Sequence, residues 1–242
     1  EILSNLIWKN IENITSPNDK IYLSVSGLLH IISFPALFNE KKIDITYLGS
    51  TKELMEIKKR TSKNSNIALF GNINYGKNKN NDSIKTQGRN SNFNLLPYSK
   101  NEVNGIRSIF KSAQKEATMF TQNVASEENF RKLNGSKFDI IHIATHGFYD
   151  PFSTIFSGAD DNNNENVLLK SGLAFSNANN NSTNTKNNGI LNSFEISQMD
   201  LSNVNLIVLS ACETGLGSDK GNEGVFGLQR AFKLAGAKSM IV

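Results

Sequence analysis

Short runs of β-forming residues alternate with amphipathic helical patterns through most of this chain. The runs are Ile67–Phe70, Ala117–Thr121 and the two apolar segments that lead to His146 and Cys212. Between them, Val103, Ile106 and Phe110 recur at helical spacing, as do Phe130 and Leu133. Strands that alternate with helical patterns of about 10–15 residues are typical of βαβ units. The pattern therefore predicts an α/β fold with a mostly parallel sheet.

Two of the predicted strands end at a chemically reactive residue that glycine follows closely. The first reads Asp-Ile-Ile-His-Ile-Ala-Thr-His146-Gly147, and the second reads Asn-Leu-Ile-Val-Leu-Ser-Ala-Cys212-Glu-Thr-Gly215. The carboxyl ends of parallel strands meet at one edge of a sheet, where ligands collect. We therefore expect His146 and Cys212 to be neighbours. A thiol beside an imidazole is the arrangement of a cysteine hydrolase.

Composition excludes several other classes of protein. The 242 residues fit one large α/β domain or two small ones. The one cysteine excludes an intramolecular disulfide framework, so nothing points to secretion. No apolar run reaches the roughly 20 residues of a membrane-spanning helix, and the N-terminus lacks a basic signal region. We expect a cytoplasmic protein without a membrane partner.

The net charge of +4 raises the question of an anionic partner. The basic residues are scattered over predicted helix faces and loops, without a dense basic block or interleaved aromatic residues. We therefore expect no direct contact with nucleic acid.

Cap and turn residues predict where several elements begin and end. Capping-box spacing at Ser50–Glu53 and Ser99–Glu102 predicts two helix starts. Other predicted elements are a possible linker helix over residues 1–16, strands over Ile21–Val25 and Ile43–Leu48, a helix between Ser126 and Gly135, a short helix over Phe194–Met199, and a helix from Glu223 that ends at Gly236. A predicted strand begins at Ser239 and is cut off by the end of the sequence at Val242. We therefore expect the chain to be a fragment that lacks the C-terminal end of its domain.

A long insertion, Ser157–Gly189, lies between the two reactive strands. Asparagine-rich tracts, Asp160–Asn164 and Asn177–Ser182, surround a more apolar island, Val167–Phe175. Such low-complexity tracts are typical of mobile segments, and long loops in compact domains are usually functional or disordered. We expect mobile polar tracts, in a segment that is either a lid over the site or a point of self-cleavage.

The segment around Cys212 resembles the signature of the CHAT family. It reads Leu-Ser-Ala-Cys212-Glu-Thr-Gly-Leu-Gly, and three residues later Gly-Asn-Glu-Gly-Val-Phe-Gly-Leu-Gln-Arg-Ala-Phe follows. His-Ile-Ala-Thr-His146-Gly147-Phe is similar to the histidine motif of that family, and Ser26–Leu37 and Leu96–Val103 are weaker matches in family order. CHAT domains are caspase-like, are grouped with caspases, gingipains and separases, and are commonly fused behind tetratricopeptide repeats.

The resemblance implies a single domain over residues 1–242 that forms a caspase/gingipain-like three-layer sandwich, with a mostly parallel sheet flanked by helices. It assigns His146 and Cys212 as a catalytic dyad and the backbone N–H groups of Gly147 and Cys212 as an oxyanion hole. It further implies a protein substrate, an upstream repeat region or regulatory partner, and neither a cofactor nor a metal. Two departures are Ser24–Gly27, where the family often has a Pro-Asp-Gly-like turn, and the end of the chain before a Ser-Leu-Trp-like strand.

Substrate selection is predicted from position alone. Ser210, two residues before Cys212, could form the floor of the pocket for the side chain that precedes the cleaved bond. Glu213 and Asp150 are candidate selectors of a basic residue there.

Other readings of the same residues remain open. The chain could be a catalytically silent CHAT-like module that transmits partner binding. A nucleotide-binding domain would need a phosphate site, but the glycine-rich loop after Cys212 lacks a Gly-Lys-Ser/Thr ending.

His142, His146 and Cys212 could mimic a zinc site. However, zinc takes three or four ligands in defined geometry, and no Cys-x-x-Cys or further suitable His is present. We expect His142 to be a hydrogen-bonded core residue, and His30 to be structural.

Overall fold

The computed structural model describes residues 4–9, 12–25, 29, 32, 34, 43–48, 54, 66–76, 93–149, 166–180, 187–210 and 221–242. The chain divides into two compact units, Glu1–Thr61 and Ser62–Val242.

The first unit contains a small parallel sheet. Strands β1 (Lys20–Leu23) and β2 (Asp44–Tyr47) pair in register, close to where the sequence predicted them. Phe34 is buried against the apolar side chains of both strands, including Ile21 and Ile45. The helix predicted near the N-terminus is instead a π-helical segment, Ser4–Trp8, and a separate 3₁₀ turn, Glu12–Ile14. The helix predicted after Ser50, and His30, lie outside the described residues.

The second unit alternates helices and strands. Its described elements are β3 (Ile67–Ile73), α1 (Pro97–Ser112), β4 (Ala117–Gln122), α2 (Glu127–Arg131), β5 (Ile140–Ile143), β6 (Gly147–Tyr149), α3 (Asn166–Lys170), β7 (Ser171–Ala174), β8 (Ile190–Asn192), α4 (Ser193–Ser197), β9 (Leu206–Leu209), α5 (Gly221–Leu234) and β10 (Met240–Ile241).

Five of these strands form one parallel sheet in the order β10-β9-β5-β3-β4. Successive side chains of a strand point to opposite faces of the sheet. In β3, the side chains on both faces are buried. Ile67 and Leu69 pack with Val103 of α1, whereas Phe70 packs with Phe130 of α2 and with residues of α5. Helices therefore cover both faces. The predicted α/β sandwich of caspase-like architecture, with a parallel central sheet, is confirmed.

A second, antiparallel sheet of order β6-β7-β8 was not predicted from the sequence. Strand β6 begins at Gly147, directly after His146, and pairs with β7, which comes from the apolar island of the insertion. The His146 carbonyl accepts a hydrogen bond from the Ala174 amide at 2.9 Å, and the Thr145 hydroxyl donates to the Ala174 carbonyl. The insertion thus contributes a buried strand beside the predicted site.

Helix termini test the cap predictions directly. The Ser126 hydroxyl accepts from the Asn129 amide, as expected of an N-cap, and Gly135 and Gly236 adopt positive φ angles of 65° and 97°. The capping box predicted at Ser99–Glu102 is wrong. Helix α1 begins earlier, at Pro97, and its N-cap makes no side-chain hydrogen bond. Proline is favoured at the first helical position because the N–H group that it lacks would have no hydrogen-bond acceptor within the helix there.

Two glycines give a matched pair of stability predictions. A Cβ on Gly172 of β7 would lie 2.5 Å from the Leu191 carbonyl oxygen and 2.9 Å from the Asn192 Cα, both backbone atoms of the neighbouring strand. Gly172→Ala should therefore lower the free energy of unfolding by about 1–3 kcal/mol through overpacking. Gly105 of α1 has no atom within 4 Å of a built Cβ, so Gly105→Ala should raise that free energy by about 0.5–1 kcal/mol. Urea denaturation of both variants measures the two signs, and equal changes would contradict the packing described for β7.

Candidate active site

The imidazole of His146 lies just beyond the carboxyl end of the central strand β5, partly buried between two aromatic rings. Its ring centroid is 5.2 Å from that of Tyr75 and 5.5 Å from that of Phe93. Tyr75 follows β3 and is itself 3 % exposed. The two rings restrict the rotation of the imidazole and leave only part of it open to solvent.

A backbone carbonyl fixes the orientation of that imidazole. Nε2 of His146 lies 2.7 Å from the carbonyl oxygen of Asn94. Because a carbonyl can only accept, Nε2 carries the hydrogen, and Nδ1 is the nitrogen with the lone pair in the neutral ring. Sequence reasoning found no third member of the site. A backbone acceptor leaves no side-chain signal, so no residue type could have pointed to Asn94.

The register of the central sheet relates the two predicted dyad positions. On neighbouring parallel strands, Ile143 of β5 pairs with Leu209 of β9, and the Ser210 amide donates to the Ile143 carbonyl at 3.0 Å. His146 and Cys212 each follow that pair by three residues in the sequence. Cys212 and Glu213 lie outside the described residues, as does Asp150.

Gly147 is buried and is the first residue of β6, where it pairs with Leu173 of β7. The backbone of the predicted oxyanion donor is therefore part of a regular strand ladder rather than a free loop.

The hydroxyl of Thr145, which precedes His146, also accepts a hydrogen bond from the Tyr75 hydroxyl at 2.9 Å. Burial raises the pKa of Tyr75 to about 12, so the phenol stays protonated and can donate at any physiological pH.

Ser210 is joined to a polar network that crosses one face of the sheet. Its hydroxyl donates to Oε2 of Glu102 at 3.1 Å, and the other carboxylate oxygen, Oε1, lies 3.0 Å from Nε2 of His142. Although Nε2 of His142 lies within hydrogen-bond distance of Glu102, the charge of the carboxylate acts on the imidazole more strongly than the hydrogen bond does. Glu102 therefore connects β5 and β9 from helix α1, in place of the capping role that its spacing suggested.

The pKa of His142 is lowered by burial, which outweighs the opposing attraction of the Glu102 carboxylate. The folded protein thus binds this proton more weakly than the unfolded chain does. The contribution of His142 to stability therefore falls as the pH drops below about 6.5, the ordinary pKa of histidine. We expect the free energy of unfolding of the wild type to decrease more between pH 7 and pH 5, roughly the range of that titration, than that of His142→Gln. Urea denaturation at both pH values measures this, and equal decreases would contradict the buried neutral imidazole.

A comparison with protein-family models matches residues 2–242 to the CHAT domain. The chain belongs to the CHAT domain family. The match spans the segments that carry both the histidine motif and the cysteine motif, and it agrees with the caspase-like sandwich of the second unit. No curated protein matches the chain.

Among the residues that the structure describes, no group of three or more His, Cys, Asp or Glu side chains is arranged to hold a metal ion. None of the described helices has both the length and the apolar character needed to cross a bilayer.

Proposed function

We propose that this CHAT domain is a cysteine endopeptidase that hydrolyses a peptide bond of a protein substrate, with His146 and Cys212 as its dyad. The observation that carries the proposal is the register of β5 and β9. Ile143 and Leu209 pair on these adjacent parallel strands, and each dyad residue follows its strand's member of that pair by three residues. This equal spacing favours a close approach of the two side chains at one edge of the sheet. The relationship of the CHAT family to caspase-like peptidases supports the same chemistry.

The orientation of the imidazole determines how the reaction would proceed. With Nε2 held by the Asn94 carbonyl, Nδ1 accepts the proton of the Cys212 thiol. The Asn94 oxygen stabilises the imidazolium that results. The thiolate attacks the substrate carbonyl, His146 then protonates the leaving amine, and a water molecule activated by His146 hydrolyses the acyl-enzyme.

The backbone N–H groups of Gly147 and Cys212 are proposed to bind the oxyanion of each tetrahedral intermediate. Such donors act best when they are fixed before the reaction, and each contributes about 3–4 kcal/mol in well-studied hydrolases. The pairing of Gly147 with β7 supports this role, since it holds the peptide of the first donor in a sheet.

The pocket for the side chain before the cleaved bond is proposed to have Ser210 at its floor. Because the Ser210 hydroxyl donates to Glu102, a carboxylate that is one-third exposed lies beside that floor. Together with Glu213 and Asp150, this charge favours a basic side chain, lysine or arginine. The carboxylate at Glu102 is the contact that sequence reasoning missed.

A peptide library tests the proposed activity. Wild type and Cys212→Ala are incubated with the library, and the products are read by mass spectrometry. We expect cleavage by the wild type alone, with lysine or arginine enriched before the cut. Because the family is commonly fused to repeat domains, the library is also tested with upstream repeat segments added. Absence of cleavage in every condition would contradict the proposal and favour a silent module that transmits partner binding.

A further inference from the structure

The carbonyl that holds His146 belongs to a short stretch, Phe93–Leu96, that precedes helix α1. This stretch has no strand or helix structure of its own. Nevertheless, two contacts of His146 depend on it, because the Phe93 ring packs at a tilt against the imidazole and Asn94 supplies its hydrogen-bond acceptor. Something must therefore fix the backbone of Phe93 for His146 to keep one orientation.

The side-chain amide of Asn179 bonds to both backbone groups of Phe93. Its Oδ1 accepts from the Phe93 N–H at 2.8 Å, and its Nδ2 donates to the Phe93 carbonyl at 2.9 Å. This paired geometry is that of a residue opposite Phe93 in a strand ladder, although a side chain provides it. A second donor contact reaches the Gly76 carbonyl at 3.4 Å. The amide is partly buried, so losing it would leave polar backbone groups without partners.

Asn179 is in turn fixed to the end of β3. The Asn177 amide donates to the Asn74 carbonyl at 3.0 Å, and the Asn179 amide donates to the Tyr75 carbonyl at 2.8 Å. Ala178 between them is buried. Asn177–Asn180, part of a tract whose composition is typical of mobile segments, thus form a turn with specific hydrogen-bond partners.

We propose that Asn179 is a positioning residue for the reaction of the proposed peptidase. It acts through Phe93 and Asn94, and it keeps His146 in the Nε2–H tautomer with Nδ1 directed away from the Asn94 carbonyl. The insertion between the two motifs thereby supports the general base, and Asn179 itself does not touch the substrate. This inference rests on the proposed function only for its effect on catalysis, because its structural part concerns the resting protein.

The ring nitrogens of His146 provide a direct readout. In protein labelled with ¹⁵N-histidine, the nitrogen chemical shifts of the neutral ring distinguish the two tautomers, and His146→Ala assigns the signals among the three histidines. The shifts are read in a Cys212→Ala background, where the ring takes no proton from the thiol, and we expect the Nε2–H tautomer to dominate there. Adding Asn179→Ala to that background should give a mixture of tautomers. In the protein that retains Cys212, Asn179→Ala should lower kcat for peptide cleavage about 10- to 100-fold with KM nearly unchanged, as for a displaced catalytic group.

The neighbouring residue Asn180 provides a matched control. It is exposed, and its side chain bonds only to Asn177 among the described residues. Asn180→Ala should retain both the tautomer and the kcat of the wild type. If Asn179→Ala does not fold, Asn179→Asp preserves size and the acceptor for the Phe93 N–H but loses the donor to the Phe93 carbonyl. It should then show the same mixture.

The outcomes separate the two proposals. A wild-type tautomer in a folded Asn179 variant would overturn the positioning role, whether or not the protein cleaves peptides. A mixed tautomer in a protein without peptidase activity would support the positioning of His146 and contradict the proposed reaction alone. A fall in kcat with an unchanged tautomer would also overturn the inference, since the effect would then arise elsewhere.

Discussion

His146→Ala is expected to lower kcat/KM for peptide cleavage by about 10⁴-fold, and Cys212→Ala should reduce it to a similar background. Without the imidazole, nothing in the proposed mechanism takes the thiol proton or returns it to the leaving amine. Without the thiol, the acyl-enzyme cannot form. Kinetics with the best library peptide measure both losses, and urea denaturation verifies that each variant is folded.

The double variant tests whether the two residues act as one unit. Because a base without its nucleophile contributes little, His146→Ala combined with Cys212→Ala should be no slower than Cys212→Ala alone. Gly105→Ala, on the exposed side of α1, serves as a control that should keep wild-type activity. Multiplicative losses, or a His146→Ala variant within about tenfold of wild type, would show that His146 and Cys212 are not a dyad.

Phe130→Ala is expected to lower the free energy of unfolding by about 3–5 kcal/mol. The Phe130 side chain is fully buried, and its ring centroid lies 5.4 Å from that of Phe70, 5.2 Å from Phe175 and 6.4 Å from Phe232. These partners come from β3, from the end of β7 and from α5. Removal of the ring therefore leaves a cavity where helices and both sheets of the second unit meet.

Phe194 of α4 offers the matched control, because the same side chain is 46 % exposed there. Phe194→Ala should change the free energy of unfolding by less than about 1 kcal/mol. Urea denaturation gives both values on a common scale. Similar losses in the two variants would contradict the central position of Phe130 in the core.

The main sheet was predictable because its signals are local. Ile67–Phe70 and Leu206–Leu209 are continuous apolar runs, which parallel strands covered on both faces need. Ala117–Gln122, at the edge of the sheet, is marked by its β-forming residues instead. The antiparallel sheet was not predictable in the same way. Its strands, Gly147–Tyr149 and Ile190–Asn192, are three residues long, and the partner strand between them comes from an insertion with a polar composition.

The candidate site was predictable only where a reactive side chain marks it. His146 has a motif and a strand end, whereas Asn94 acts through a backbone carbonyl far from it in sequence. From the sequence, Glu102 is explained by capping-box spacing, and Asn179 is explained as part of a low-complexity tract. Only the tertiary structure reveals their hydrogen-bond partners. Long-range pairs of this kind depend on the fold, which no local pattern of residues contains.

The pH dependence of cysteine alkylation tests the central claim most directly, because it needs no substrate and the chain has one cysteine. Iodoacetamide reacts with the thiolate, and an unperturbed thiol has a pKa of about 8.5. We predict that the wild type is alkylated rapidly even near pH 6–7, whereas His146→Ala slows about tenfold per pH unit below that pKa, as a free thiol does. Superimposable profiles for the two proteins would contradict a Cys212–His146 dyad.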